Sequence, residues 1–465
     1  MMIKKNVFIL LPDGVGLKNF AFTKFNELAQ KNNINLTYWN NTVFDLNKLG
    51  YNQVLIENAR LNPLTQVYKN VRTHLEIDKN TKTFNDLVYQ TYIFPFNTKG
   101  LKNKIRTALT KVLIATHKSK SGLQQIINKT YTLEKQTPYY NSCIEQLKQH
   151  KPDLVLCTNQ RTSLSIAPIE AAKSLGIKTA CFIFSWDNLP KAMLSIDTDY
   201  YFVWSDFMKN ELIKYYPHIL PNQIIVTGTP QFENHFNEDF IESYLDFCAK
   251  YDLDINKKYF LYSGDDITTS PNDPLYLADT AKAIIELNKK GNNFGLIFRR
   301  CPVDFSNRFD EVLKKYNHII TPIAPAWKQM GGAWNNVMPT IEDMQLQANC
   351  IRHTYGVLNL GSSMVFDAIS HKKTCAYFNY NAVNTDLNKW NVEKIYKYVH
   401  FRSMPSKNAV HWVNTPQDIE LILLDMLKED TLQHQEAQKW FDIINKVPAN
   451  KASERIVEQI NHILK

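Results

Sequence analysis

Several short stretches place polar or charged residues where an apolar run stops, and those residue types can do chemistry. In Leu11-Pro12-Asp13-Gly14-Val15-Gly16 a carboxylate follows the apolar run 7–11. A carboxylate held at a strand end can take a proton from an acceptor hydroxyl, as general-base chemistry requires. The same Asp13 could equally stabilise its own turn. Gly14 and Gly16 suggest a dinucleotide loop, but GxG without a third glycine is a weak signal. Ser185-Trp186-Asp187-Asn188 repeats the arrangement after another apolar run, so Asp187 is a rival base. Gly14, Trp186 and Asn188 beside these acids are the candidate acceptor contacts.

A second set of stretches suits phosphate. Gly361-Ser362-Ser363 follows the apolar run 356–360, and Asp367 comes four residues after Ser363. Glycine permits a tight turn, and serine hydroxyls with free backbone N–H groups can hold a phosphate. A carboxylate one helical turn further on can accept hydrogen bonds from ribose hydroxyls. A serine cap on an ordinary helix would look the same. Arg299-Arg300 ends another apolar run, and the guanidinium fork binds phosphate oxygens bidentately. A surface arginine pair is the plainer alternative. Ser263-Gly264-Asp265-Asp266 also follows an apolar run: the first two would let a loop approach a phosphate, and the acids would flank it. That acidic pair is too generic to define a metal site, and no metal is expected.

These stretches need elements to position them. Strand-like runs at 7–11, 154–157, 178–184, 200–204 and 223–227 alternate with helix-like segments at 19–31, 166–175 and 206–216. After a helical stretch around 238–251 the pattern restarts, with strands at 259–262, 295–298, 318–321, 356–360 and 374–378. Such alternation predicts parallel sheets covered by helices. Because it runs twice, the expected fold class is α/β with two facing Rossmann-like domains and a cleft between them. The expected domains are 1–235 for the acceptor, 236–410 for the donor, and C-terminal helices over 411–465 that pack back across the cleft. Asn414-Thr415-Pro416-Gln417-Asp418 supplies a helix start. Residues 45–140 carry mixed short patterns that predict no particular fold.

Composition narrows the class. The chain has 465 residues, 44% hydrophobic and 21% charged, which fits two ordinary globular cores. Seven cysteines lie scattered with no CxxC pair, so a reducing, cytoplasmic setting is expected rather than a disulfide framework or zinc site. No apolar run of 18 residues occurs, and the first apolar run is too short for a signal peptide. The net charge of +9 is uneven: residues 99–129 hold eight Lys or Arg and no acid, with Leu101, Ile105, Leu109 and Val112 at helical spacing. A basic amphipathic helix can rest on the anionic inner face of a membrane, or simply be a solvated helix packed on its own domain. No nucleic-acid module is present, so nucleic acid is not an expected partner.

The stretch SWDNLPKAMLSIDTDYYFVWSDFMKNEL, followed by IIVTGTPQFENHF, resembles a bacterial glycosyltransferase family of the GT-B fold that acts in surface polysaccharide biosynthesis. The C-terminal stretches IFRRCP and MPTIEDMQLQANCIRHTYGVLNLGSSMVFDAISHKK are similar to the donor-domain pattern of the same family and of CDP-glycerol glycerophosphotransferase-like proteins. The likeness covers about 150–385 and is thin before 150, apart from LPDGVGLKNF. It implies a nucleotide-sugar donor, used as substrate, in the C-terminal domain and a glycan or lipid-linked acceptor in the N-terminal one, with no cofactor. It further implies that Ser362 and Ser363 contact donor phosphate, that Asp367 sits near the ribose, that Arg299 faces the diphosphate and that Asp343 shapes the donor side. Two departures stand out. Cys301 occupies the place of the family's histidine, leaving Arg300 to take over its contact, and Glu233 replaces an aspartate. The leading expectation is an inverting, metal-independent glycosyltransferase. A CDP-polyol phosphotransferase, a nucleotide-sugar 2-epimerase and a catalytically inactive nucleotide-binding scaffold are the alternatives.

Overall fold

The computed structural model describes residues 4–329, 337–383 and 385–465. The chain divides into two compact units, Met1–Pro230 with Ile444–Lys465 and Gln231–Ile443. Residues 411–443 therefore lie in the second unit and 444–465 in the first.

The first unit is built on strands β1 (Lys5–Leu11), β2 (Ile34–Asn40), β3 (Gln53–Leu55), β4 (Leu154–Cys157), β5 (Lys178–Phe182), β6 (Tyr200–Val203) and β7 (Ile224–Val226). They form one parallel sheet in the order β3-β2-β1-β4-β5-β6-β7. The runs 7–11 and 154–157 are apolar without alternation, and every residue in them is buried. That is what a parallel strand with helices on both faces requires. The chain winds from β1 to β2 and β3 on one side, then returns to place β4 on the other side of β1. The loops leaving β1 and β4 part at their carboxyl ends and open a crevice there.

The second unit repeats the plan. Its strands β8 (Lys258–Ser263), β9 (Phe294–Arg299) and β10 (Ile320–Pro322) are followed by a two-stranded antiparallel pair, β11 (Lys328–Gln329) and β12 (Val337–Met338). Then come β13 (Gly356–Asn359), β14 (Thr374–Phe378) and β15 (His411–Val413). The main sheet is parallel in the order β10-β9-β8-β13-β14-β15, so winding reverses between β8 and β13. The short strand β15 carries too little apolar pattern to stand out in sequence.

Local departures from expectation have local causes. The helix expected over 19–31 is two, Val15–Phe20 and Phe25–Lys31. Thr23 separates them: its hydroxyl donates to the Asn19 carbonyl at 2.9 Å and accepts the Phe25 N–H at 3.4 Å, offering the backbone an alternative to the helical ladder. The helix signalled at 414–418 starts only at Asp418, whose carboxylate accepts the N–H groups of Asn414 and Thr415 and closes a turn first. Within 45–140, the residues after β3 fold as a helical insertion that leads to β4, with helices Thr65–Phe84, Leu101–Thr116 and Lys120–Lys135 packed around Val71, Leu75 and Ile126. The last helix, Ala452–Ile463, buries Ile456, Val457, Ile460 and Ile463 in the first unit. Arg455 ties it there by donating from Nε to the Thr227 carbonyl at 2.6 Å. Among the described residues no helix is long and apolar enough to cross a membrane, and no group of three His, Cys, Asp or Glu side chains is placed to hold a metal ion.

Candidate functional site

Asp13 stands at the end of β1, beside the β1–β4 crevice. Its Oδ1 accepts the Val15 N–H at 3.1 Å and its Oδ2 accepts from Asn159 Nδ2 at 2.7 Å. Asn159 is itself oriented by the Arg161 N–H, which donates to its Oδ1 at 2.9 Å. Burial pushes the Asp13 carboxyl up from its ordinary value; the two hydrogen bonds and the charges of Arg161 and Lys69 pull the other way and only partly offset it. Gly14 precedes the short helix and Gly16 sits inside it. A Cβ on Gly16 would lie 2.2 Å from Thr158 Oγ1, so only glycine lets the β1 loop approach the end of β4.

The segment Thr158-Asn159-Gln160-Arg161 after β4 joins the two loops that sequence singled out. Asn159 holds Asp13, and Gln160 donates from Nε2 to Asn188 Oδ1 at 3.0 Å. Trp186 and Asn188 are buried. Asp187 is engaged in its own turn: it accepts from Ser185 Oγ at 2.5 Å and from Asn188 Nδ2 at 2.8 Å, and it forms an ion pair with Lys191. Of the two candidate bases, Asp187 is ion-paired to Lys191, whereas Asp13 makes no ion pair among the described residues. The sequence did not single out Asn159, Gln160, Arg161 or Lys69. The available signal was a polar run, TNQR, directly after a wholly apolar strand.

In the second unit, the loops after β8 and β13 meet at the reversal point. The Leu360 N–H donates to Asp265 Oδ2 at 3.3 Å. Gly264 is fitted closely: its N–H donates to the Arg299 carbonyl at 2.8 Å, and a Cβ would lie 3.1 Å from the Phe298 ring. Ser263 pairs with Arg299 across the sheet. Burial and the neighbouring Asp273 carboxylate push the Asp265 carboxyl well up. Arg308 braces this loop by donating to the carbonyls of Asp265 and Ser270, both at 2.5 Å. Gly361 takes a left-handed φ of 68°, and the half-buried Ser362 and Ser363 follow. Ser362 N–H donates to Asn359 Oδ1 at 2.9 Å, while its carbonyl accepts from Tyr377 Oη at 2.6 Å. Ser363 precedes helix Met364–Ser370 but makes no side-chain cap bond to it. The first N–H of the helix is capped one residue earlier, by Ser362, whose Oγ accepts from Met364 N at 3.4 Å.

Two residues expected at the donor face inward instead. Arg299 is 7% exposed, and its Nη2 donates to both oxygens of Asp343, at 2.7 and 2.8 Å. Asp343 also accepts the Ala326 N–H and Trp327 Nε1, so the pair is an internal brace. Its partner Arg300 is half-buried, donates from Nη1 to the Ser306 carbonyl at 3.1 Å and lies over the Phe309 ring. Asp367 is 2% exposed, and its Oδ1 lies 2.7 Å from His235 Nε2; the place expected for a ribose is taken by His235. His235 Nδ1 lies 2.9 Å from His371 Nε2, and burial lowers His371 to about 3, so the His371 ring stays neutral. Periodicity placed Asp367 one turn into a helix but could not say which way that turn faced.

No family model matches the chain, and no curated protein matches it in sequence. Solved structures do match. A structure of S. aureus MnaA with UDP is 14% identical over 99% of this chain and 97% of that one, with a TM-score of 0.53. UDP-GlcNAc 2-epimerase from Methanocaldococcus jannaschii is 16% identical over 98% and 99% of the two chains, with a TM-score of 0.52. A glycosyltransferase from Rickettsia africae ESF-5 is 12% identical over 99% of each chain, with a TM-score of 0.51. At these identities the likeness is one of fold: mixed α/β with two parallel sheets, the GT-B plan.

Proposed function

We propose that the protein is a glycosyltransferase that moves a sugar from a nucleotide-sugar donor to a hydroxyl of a glycan or lipid-linked acceptor. The observation that carries this reading is the pairing of two reversal points with unlike chemistry. The first unit presents a carboxylate oriented by Asn159, with its pKa raised towards that of a useful base. The second presents Gly361-Ser362-Ser363 beside Ser263-Gly264, the two loops joined by the Leu360 N–H to Asp265. Nucleotides bind at such reversal points in α/β sheets. In the reaction Asp13 takes the acceptor's hydroxyl proton, and the freed oxygen attacks the anomeric carbon. The bond from that carbon to the phosphate oxygen breaks, and the nucleotide leaves with the electron pair. Inversion at that carbon follows from a single displacement.

Likeness in fold to proteins named as UDP-GlcNAc 2-epimerases makes epimerisation the second reading. A thermal-shift series with UDP, GDP, dTDP, CDP, CMP and ADP, each with and without its sugar, tests the donor site, since a ligand of the folded state raises the midpoint by mass action. One base should raise it clearly, and Ser362→Ala with Ser363→Ala should lose the shift. No shift with any nucleotide sinks the reading. Conversion of the nucleotide sugar to its 2-epimer, without transfer or nucleotide release, replaces it with the second one.

A further inference from the structure

A cavity of about 500 Å³ lies within the first unit, enclosed by the helical insertion and the loops after β4 and β5. Four of its lining residues are cationic: Lys69, Arg106, Arg161 and Lys191. None of the described lining residues is acidic. Lys191 is neutralised by Asp187, but Lys69 and Arg161 form no ion pair among the described residues. Lys69 Nζ instead donates to the Arg161 carbonyl at 2.8 Å. Concentrating unpaired cations in a cleft raises the local concentration of anions. Burial and the neighbouring arginine charges lower the Lys69 ammonium to about 8.

The rest of the lining mixes amides and hydroxyls, among them Asn70, Asn103, Thr107 and Thr110, with aromatic and apolar side chains. Tyr92, Ile93, Phe94 and Phe96 contribute, with Phe96 stacked on His74 at 4.8 Å and Phe94 standing 74% exposed. Helix Leu101–Thr116 supplies one wall: Leu113 and Ile114 near its end pack on the Val71, Leu75 and Ile126 core, while the turns before them are reversed. Its buried residues are Thr107 and Thr110, which line the cavity, while Leu101, Ile105, Leu109 and Val112 are exposed. A surface helix ordinarily buries the apolar stripe and exposes the polar one. The cavity is tied to the candidate base through Arg161, whose N–H holds the Asn159 side chain that donates to Asp13.

We infer that this cavity is the acceptor site and that it takes an amphiphilic phosphate: the cations hold the phosphate, and the aromatic rim receives the start of an apolar chain. The acceptor class is therefore a sugar borne on a phosphorylated lipid, which keeps the hydroxyl that Asp13 would deprotonate, rather than a free neutral glycan. This rests on the transferase reading above for the word acceptor, but the binding it predicts does not.

Geranyl phosphate and geraniol, titrated below their aggregation limits, supply the probe. The full-length protein should bind geranyl phosphate at least tenfold tighter than geraniol, and inorganic phosphate more weakly than geranyl phosphate. Lys69→Gln and Arg161→Gln should each remove most of that preference, and Arg106→Gln should weaken it about twofold to threefold. The ligand-free thermal midpoint serves as a fold control in every variant. If a variant fails to fold, the wild-type ratio of geranyl phosphate to geraniol still decides the matter. Equal binding of the two, no binding of either, or an undiminished preference in the folded variants would overturn the inference. Inorganic phosphate binding as tightly as geranyl phosphate would overturn the apolar half of it. Geranyl phosphate binding with no nucleotide binding would instead leave this site standing and sink the transferase reading.

Discussion

At the residue scale, the raised carboxyl of Asp13 is the feature most open to test. If Asp13 is the base, Asp13→Asn should abolish transfer and leave the donor-induced thermal shift unchanged; full turnover in that variant would move the role to Asp187. The hydrogen bond from Asn159 favours the charged form of Asp13, so its removal should raise the pKa further. Asn159→Ala should therefore move the acid limb of the pH–rate profile to higher pH. A second carboxyl tests stability rather than catalysis. Glu211 is 6% exposed, its Oε2 has no hydrogen-bond partner among the described residues, and burial raises it to about 8. The folded state thus holds this proton more tightly than the unfolded one. The associated stability is complete below the unfolded value and is lost as pH rises to about 8, at no more than about 1.4 kcal/mol per unit. Glu211→Gln should flatten that decline, which denaturant midpoints at pH 5 to 8 would reveal. Asp13 was legible in sequence because it follows its own strand directly. Asn159 and Lys69 were not, because they reach the site from other crossovers.

At the element scale, the exposed stripe on helix Leu101–Thr116 is an apolar surface flanked by Lys102, Lys104 and Lys111, all exposed and with no acid on the helix. Its charge complements an anionic bilayer, and we propose that surface as its partner. Each basic side chain near such a surface contributes about 1 kcal/mol, and that attraction is screened by salt. Cosedimentation with vesicles rich in anionic lipid should be strong at low salt and weak at high salt, and Ile105→Glu should reduce it severalfold. Absence of binding at low salt would leave the stripe without a bilayer partner. Hydrophobic periodicity located this helix correctly but not its orientation, since a period identifies a stripe without saying what covers it. The close fit of the β1 loop gives a simpler prediction. Gly16→Ala pushes a methyl into Thr158 and Leu11, so a loss of about 1–3 kcal/mol is expected in urea unfolding.

At the scale of the whole molecule, the first unit is completed by the end of the chain. Ile456, Val457, Ile460 and Ile463 are buried in it, each representing about 1.5–3 kcal/mol of burial. Removing residues 444–465 strips several kcal/mol from that unit, a large share of the stability of an ordinary domain. Limited proteolysis of such a truncated chain should degrade 1–230 quickly and leave 231–443 as the resistant fragment. Equal resistance of both parts would show that the helix is peripheral to the first core.

Sequence alone determined the ten strands that are apolar runs, their parallel pairing and the doubling of the α/β pattern, but not β2, β3 or β15. Most of the ten are buried on both faces, so their apolar runs need no knowledge of neighbours to be read. It also determined which loops carry Asp13 and Gly361-Ser362-Ser363, because each follows its strand directly. Only the tertiary structure decided which loops meet and which side chains turn inward. Arg299 and Asp367 looked like ligand contacts in a linear string, yet Asp343 and His235, from distant segments, hold them inside the second unit. A buried charge must find its partner wherever the fold brings one, and the spacing of residues along a chain does not encode that distance.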